Sequence, residues 1–154
     1  RTARLAATSA PAMTGSLVLA ASQTLHHVGI VQPDMAAAEA YMALFNHVED
    51  YRGYVPEFEC WCVFLKAPAG GAAIELVVPT GGSLARFNRG AGGLHHYAFE
   101  TPDLRALQAE FARRDAVMLH PEPVKGAGDF LCNVRSPIAT RGILVEYVQH
   151  RATP

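Results

Sequence analysis

Long apolar runs, an excess of charge of either sign and pairable cysteines are all missing from this chain of 154 residues. No apolar stretch reaches the ~18 residues that a membrane-spanning helix needs, so no membrane partner is expected. Lys and Arg number 13 against 14 Asp and Glu, a formal net charge of −1. That balance argues against a nucleic-acid or membrane-surface partner. Cysteine is scarce: Cys60, Cys62 and Cys132 are three, an odd number, with no Cys-x-x-Cys spacing. A disulfide framework or a cysteine zinc site is therefore not expected, and reduced thiols point to a cytoplasmic protein. Cys60 and Cys62 are two apart on an expected strand, share a face, and read as small buried hydrophobes.

What the chain does contain is a pattern that occurs twice. Leu25-His26-His27-Val28-Gly29-Ile30 returns as Leu94-His95-His96-Tyr97-Ala98-Phe99. Ile74-Glu75-Leu76-Val77 returns as Val145-Glu146-Tyr147-Val148. The histidine offset is 96 − 27 = 69 and the glutamate offset is 146 − 75 = 71. Near-equal offsets for both halves of the pattern mean an internal duplication.

Each copy reads as βαβββ. In the first, Leu25–Val31 is a strand, Asp34 caps an Ala-rich helix over Met35–Phe45, and strands follow over 48–54, 59–66 and 72–78. Pro68 to Gly71 form the turn between the last two, and a short helix is expected around 83–88 in the connection. In the second, a strand over 94–100 leads through Pro102 and Asp103 into a helix over 104–114, whose Leu104, Leu107 and Phe111 make a core stripe. Short strands are expected near 117–119, 129–135 and 142–149.

The expected fold class is α+β, with two tandem βαβββ modules paired into a cup-shaped mixed sheet around one metal site. Neither module, at roughly 65 residues, would close a large core alone. The single domain is placed at 23–150, with modules of about 23–80 and 92–150 and a tail at 151–154. Residues 1–22, rich in Ala, Ser and Thr, read as an extension that is disordered or foreign to the native chain. Met13 is a candidate native start, and a short transit peptide is the alternative.

Strand alternation gives the pattern its chemistry. His27 shares a face with Leu25 and Gly29, whereas His26, Val28 and Ile30 form an opposite face suited to lie beneath a helix. Glu75 stands apart from Ile74 and Leu76, and Glu146 from Val145 and Tyr147. A lone glutamate in an apolar strand is costly to bury unless it is paired or bound to a cation. Two His and two Glu at matched positions have one common explanation, coordination of a single divalent ion: Zn²⁺, Co²⁺, Ni²⁺, Mn²⁺ or Fe²⁺. Such an ion is a Lewis acid for a carbonyl or an enolate. The extra glutamate departs from the two-His-one-carboxylate set of iron oxygenases and ranks isomerase chemistry above oxygenase chemistry. His26 and His95 read as off-face neighbours, and His47, His120 and His150 as solvated. Trp61 and Phe64 read as pocket wall or core.

At these residues the chain resembles the vicinal oxygen chelate (glyoxalase/bleomycin resistance/dioxygenase) superfamily over roughly residues 25–149. Within it the chain is most similar to the methylmalonyl-CoA epimerases. The stretches that carry the resemblance are Ile74-Glu75-Leu76-Val77-Val78-Pro79, Ser83-Leu84-Ala85-Arg86-Phe87, Gly92-Gly93-Leu94-His95-His96-Tyr97-Ala98-Phe99-Glu100 and Gly142-Ile143-Leu144-Val145-Glu146. The resemblance implies His27, Glu75, His96 and Glu146 as metal ligands. It also implies an acid/base pair of Glu57, in Pro56-Glu57, and Glu146. The family follows Pro-Glu with Gln-Gly or His-Gly, where this chain has Phe58-Glu59. The turn at 68–71 is longer than the family's and the loop at 125–129 shorter, and either alters the mouth of the cup.

The implied activity is a metal-dependent epimerase or isomerase that moves a proton α to a carbonyl, on a methylmalonyl-CoA-like acyl thioester. The alternatives are a lactoylglutathione lyase of the glyoxalase I type, a biosynthetic tailoring enzyme, or a small-molecule-binding member of the superfamily. A homodimer is expected from the resemblance alone.

Overall fold

The computed structural model describes residues 24–151. The proposed extension at 1–22 lies wholly outside the described residues, as do 152–154 of the tail. The elements run β1 (Leu25–Val31), α1 (Met35–Phe45), β2 (Glu49–Val55), β3 (Cys60–Leu65), β4 (Ala73–Pro79), β5 (Gly93–Glu100), α2 (Leu104–Ala112), β6 (Val124–Lys125), β7 (Phe130–Arg135) and β8 (Leu144–His150). A 3₁₀ turn at Pro56–Phe58 connects β2 to β3, and a kinked 3₁₀ segment at Leu84–Gly90, non-helical at Phe87, Asn88 and Arg89, connects β4 to β5.

Each module is βαβββ, and all eight strands form one mixed sheet in the order β2-β3-β4-β1-β5-β8-β7-β6. The order is the same outward from the centre in both modules. β1 pairs with β4 in parallel, β5 pairs with β8 in parallel, and β1 and β5 meet antiparallel at the seam. The sheet curls into a nearly closed cup, as the duplication predicts.

Local chemistry accounts for the helices. The Asp34 side chain accepts from the Ala37 N–H at 2.8 Å and starts α1, and Asn46 ends it in a left-handed conformation. Asp103 does the same for α2, accepting from Ala106 at 2.9 Å. Two apolar layers result. Ala38 of α1 packs on the outer face of the sheet with Val63, Leu65, Leu76 and Val78. The inner face buries Val31, Phe64, Val77, Ala98, Phe130 and Val148, among others, beneath the cup. Leu104 and Leu107 of α2 are fully buried, in line with the stripe.

One expected strand is absent. Residues 117–119 make only an isolated bridge, Met118 to Arg135, and the short strand lies further on, at Val124–Lys125. Pro121 and Pro123 offer no N–H to a ladder. The Asn133 side chain takes over: its Oδ1 accepts from the His120 N–H at 3.2 Å and its Nδ2 donates to the His120 carbonyl at 2.9 Å.

Candidate metal centre

Two rows of residues cross the seam. In one, Glu75 on β4 lies beside Gly29 on β1, which faces His96 on β5. In the other, Glu146 on β8 lies beside Ala98 on β5, which faces His27 on β1. Neighbouring strands are about 4.8 Å apart, so the outer members of a row meet only by leaning over the middle one. The middle residue is small in both rows. At Gly29 the requirement is strict, since a Cβ there would lie 2.0 Å from His96 Cε1.

His27, His96 and Glu75 bring one donor atom each within 4.8 Å of one another, and Glu146 lies against both histidines. His27 Nε2 and His96 Nε2 are 3.0 Å apart. Glu146 Oε2 is 3.0 Å from His27 Nε2 and 3.3 Å from His96 Nε2. Glu75 Oε2 is 3.0 Å from His96 Nε2 and 3.4 Å from His27 Nε2. All four residues are at most 7% exposed.

Electrostatics suit the cluster to hold a cation. Burial lowers the pKa of His27, but Glu75 and Glu146 outweigh it and hold the imidazole up at about 9. The same opposition holds His96 up at about 10. Burial raises both carboxylates, but the two imidazoles win, bringing Glu146 down to about 2 and Glu75 well below the usual range. Two buried negative charges thus demand two positive ones. Two imidazolium protons can supply them, and so can one divalent ion with both rings neutral. The spacing of His27 Nε2, His96 Nε2 and Glu75 Oε2, which all lie within 4.8 Å of one another, favours the ion: bonds of about 2.1 Å at right angles put neighbouring donors about 3.0 Å apart. Two N–H groups aimed at each other across 3.0 Å would instead repel.

The centre lines a cavity of about 560 Å³, walled largely by apolar side chains including Phe58, Phe130 and Leu144. Its carboxylates are Glu57, Glu59, Glu75 and Glu146, and among the described residues no lysine or arginine lines it. Glu57 sits on the 3₁₀ turn before β3, exposed, at the cavity wall rather than among the four converging side chains.

Three expectations are corrected. His26 and His95 do not lie on an outer apolar face. The β1–β5 register slips at both, from Leu25–Phe99 to His27–Ala98 and from Gly29–His96 to Ile30–Leu94. Each is the extra residue of a bulge, where alternation fails. The His95 ring lines the cavity, and the His26 ring packs edge-on to Phe130 at 5.4 Å. Burial lowers both to about 4, so both are neutral near pH 7.

His120 is not solvated; it lines the cavity and tilts against Phe58 at 5.4 Å. The cysteines are buried as expected, yet they are more than filler. Cys62 and Cys132 are themselves a repeat, 132 − 62 = 70, and both line the cavity. Cys60, burial and Glu75 keep the Cys62 thiol protonated; burial and Glu146 do the same for Cys132. Their spacing, between the 69 and 71 of the His and Glu pattern, was the signal in the sequence. Phe64 is core against the His27 ring at 5.1 Å, and Trp61 lies on the outside, tilted on Tyr54.

Fold and centre together define a paired-βαβββ domain of the vicinal oxygen chelate type. The chain belongs to the glyoxalase/bleomycin resistance protein/dioxygenase superfamily, whose family model matches residues 26–133. Among solved structures it is similar to the methylmalonyl-CoA epimerase of Mycobacterium tuberculosis, with a TM-score of 0.77 and 22% identity over 86% of this chain and 91% of that one. It is also similar to a Streptomyces coelicolor methylmalonyl-CoA epimerase variant in complex with 2-nitronate-propionyl-CoA, with a TM-score of 0.74 and 24% identity over 85% and 99%. A methylmalonyl-CoA epimerase in complex with methylmalonyl-CoA and NH4+ gives a TM-score of 0.74 and 23% identity over 85% and 96%. At these identities the likeness establishes the fold. No curated sequence matches the chain closely enough to count.

Proposed function

We propose that this protein is a metal-dependent isomerase that moves a proton at the carbon α to a thioester carbonyl, on a methylmalonyl-CoA-like substrate. The observation that carries the reading is the close approach of His27 Nε2, His96 Nε2 and Glu75 Oε2, with Glu146 Oε2 against both histidines, beside an apolar cavity that Glu75, His96 and Glu146 line. These four would hold one divalent ion, of Co, Mn, Ni, Zn or Fe. When bound, it supplies Lewis acidity for the negative charge that develops on the substrate's oxygens.

The chain supplies the rest. The apolar walls near Phe130 and Leu144 lower the local polarity, which strengthens charge interactions there. Inversion needs a base on one face and an acid on the other. Glu146, held ionised, accepts the α-proton; Glu57, open to water at the cavity wall, returns one. The two come from different modules and line the same cavity. Crystallised acyl-CoA ligands in structurally similar epimerases support the substrate class.

Proton NMR of methylmalonyl-CoA in D₂O, with protein reconstituted with Co²⁺ or Mn²⁺, tests the reading. Enzyme-dependent loss of the C2 proton signal, absent with His96→Ala, is the expected result. No exchange from protein holding stoichiometric metal would refute this substrate.

The carboxylates Glu57 and Glu59 on the cavity wall, with no lysine or arginine beside them among the described residues, favour a second reading. An acyl group without its own carboxylate, such as a 2-methyl-3-oxoacyl thioester, needs no fixed cation inside the cup. Faster exchange on that substrate than on methylmalonyl-CoA would select it.

A further inference from the structure

Both ligand histidines are preceded by a histidine, and in both pairs the contact is the same. His26 Nδ1 lies 2.7 Å from His27 Nδ1, and His95 Nδ1 lies 2.9 Å from His96 Nδ1. The pairs are related by the duplication, and each preceding histidine is the extra residue of its own bulge. Consecutive residues on a regular strand point to opposite faces and could not make this contact. The bulges are what turn the two rings toward each other.

A hydrogen bond between two Nδ1 atoms needs one donor and one acceptor. A neutral imidazole that presents its Nε2 lone pair to an ion carries its proton on Nδ1. His27 and His96 therefore donate, and His26 and His95 accept with their protons on Nε2. Among the described residues neither ligand Nδ1 has another hydrogen-bond partner. The accepting rings are themselves held: His26 lies edge-on to Phe130, and His95 stands perpendicular to Phe87 with centroids 4.9 Å apart.

We propose that His26 and His95 are positioning residues, each taking the Nδ1 proton of the following histidine and so fixing the tautomer and ring angle that aim Nε2 into the metal centre. The proposal rests on the metal reading above and not on its substrate. Outer partners of this kind are worth about 10–100-fold in metal affinity.

A competing use of His26 is visible. One donor atom each from His26, Glu100 and His150 lies within 4.8 Å of the others. An ion bound there would claim a His26 lone pair and reverse the direction of the His26–His27 bond.

The test is Zn²⁺ and Co²⁺ affinity, measured by competition with a chromogenic chelator, on the full chain. His26→Leu and His95→Leu remove the acceptor and should each weaken binding about 10–100-fold. Asparagine carries Oδ1 where histidine carries Nδ1, so His26→Asn and His95→Asn should recover most of the loss. Melting of the metal-free variants in chelator separates a packing defect from a lost acceptor.

Wild-type affinity in the Leu variants, or Asn variants no better than Leu, overturns the proposal. So does a stoichiometry of two ions that falls to one in His150→Ala, for the His26 half. Should the Leu variants not fold, long-range ¹H–¹⁵N spectra of the Zn²⁺-loaded wild type decide. Protons on Nδ1 of His27 and His96, and on Nε2 of His26 and His95, are expected; the reverse assignment overturns it. A protein that takes up metal but exchanges no substrate proton refutes the function and leaves this inference standing. A protein that binds no divalent ion refutes both.

Discussion

The two modules are nearly equal at the seam and unequal at the rim. At the seam, β1 and β5 present the same doublet, bulge and small residue, and β4 and β8 the same buried glutamate. At the rim, β2 has seven residues and its counterpart β6 only two. Where β2 lies along Val63 of β3, the matching position on β7 is Asn133, whose side chain bonds His120 in place of a ladder. Two histidines and two glutamates are buried against one another there, so both copies are held to one geometry. The rim has only to close the cup, and a side-chain amide does that as well as a strand.

Removing a ligand is the most severe test of the equality at the seam. Glu75→Ala and Glu146→Ala should cost equally in metal binding, each by more than the roughly 10–100-fold of an outer partner. Isothermal titration with Co²⁺ measures this, and a large difference between the two would break the symmetry. Activity should vanish in both.

Gly29 and Ala98 sharpen the comparison. Gly29→Val drives a side chain into the His96 ring, and the collision should cost about 1–3 kcal/mol in thermal melts along with metal affinity. Ala98→Gly, its counterpart, only loosens the strand, by at most about 1 kcal/mol.

At the rim, Asn133→Ala strands the His120 N–H and carbonyl and should cost about 1–3 kcal/mol in denaturant melts. Val63→Ala leaves β2 paired and should lose only the smaller cost of two methyl groups, on the order of 1–2 kcal/mol. Equal costs would mean that the amide does not replace the strand.

The smallest effect is a pH shift of the metal-free protein. The pKa values of His27 and His96 are raised, so their contribution is full below about 6.5 and is lost as pH rises through about 9 and 10. The pKa values of Glu75 and Glu146 are lowered, so theirs is present above about 4.3 and is lost as pH falls through about 2 for Glu146. Melting temperature in chelator should thus decline from neutral pH toward pH 10, on the order of a few degrees. Metal should abolish that decline, and its uptake at pH 7 should release protons to a weakly buffered solution. A flat profile without metal would contradict the charged cluster.

Much of the fold was legible from periodicity. Both helices begin where Asp34 and Asp103 can cap them, and seven strands fall within about two residues of expectation. The second module's first short strand was misplaced because its two prolines left no ladder to build. Alternation placed His27, Glu75, His96 and Glu146 inward and the structure brings them together, but it placed His26 and His95 outward. A bulge depends on how β1 registers against β5, which no local pattern encodes. His120 enters the cavity for a related reason, since Asn133, thirteen residues on, draws it in.

The chain's own order of residues was enough for the duplication, the βαβββ units and the inward placing of His27, Glu75, His96 and Glu146. Each follows from spacing along one strand or between two copies. The approach of those side chains to 3.0–3.4 Å, the two histidine pairs and the apolar cavity above them arose only when two distant strands met. Side chains from separate modules converge at a seam, and a seam exists only in the folded chain.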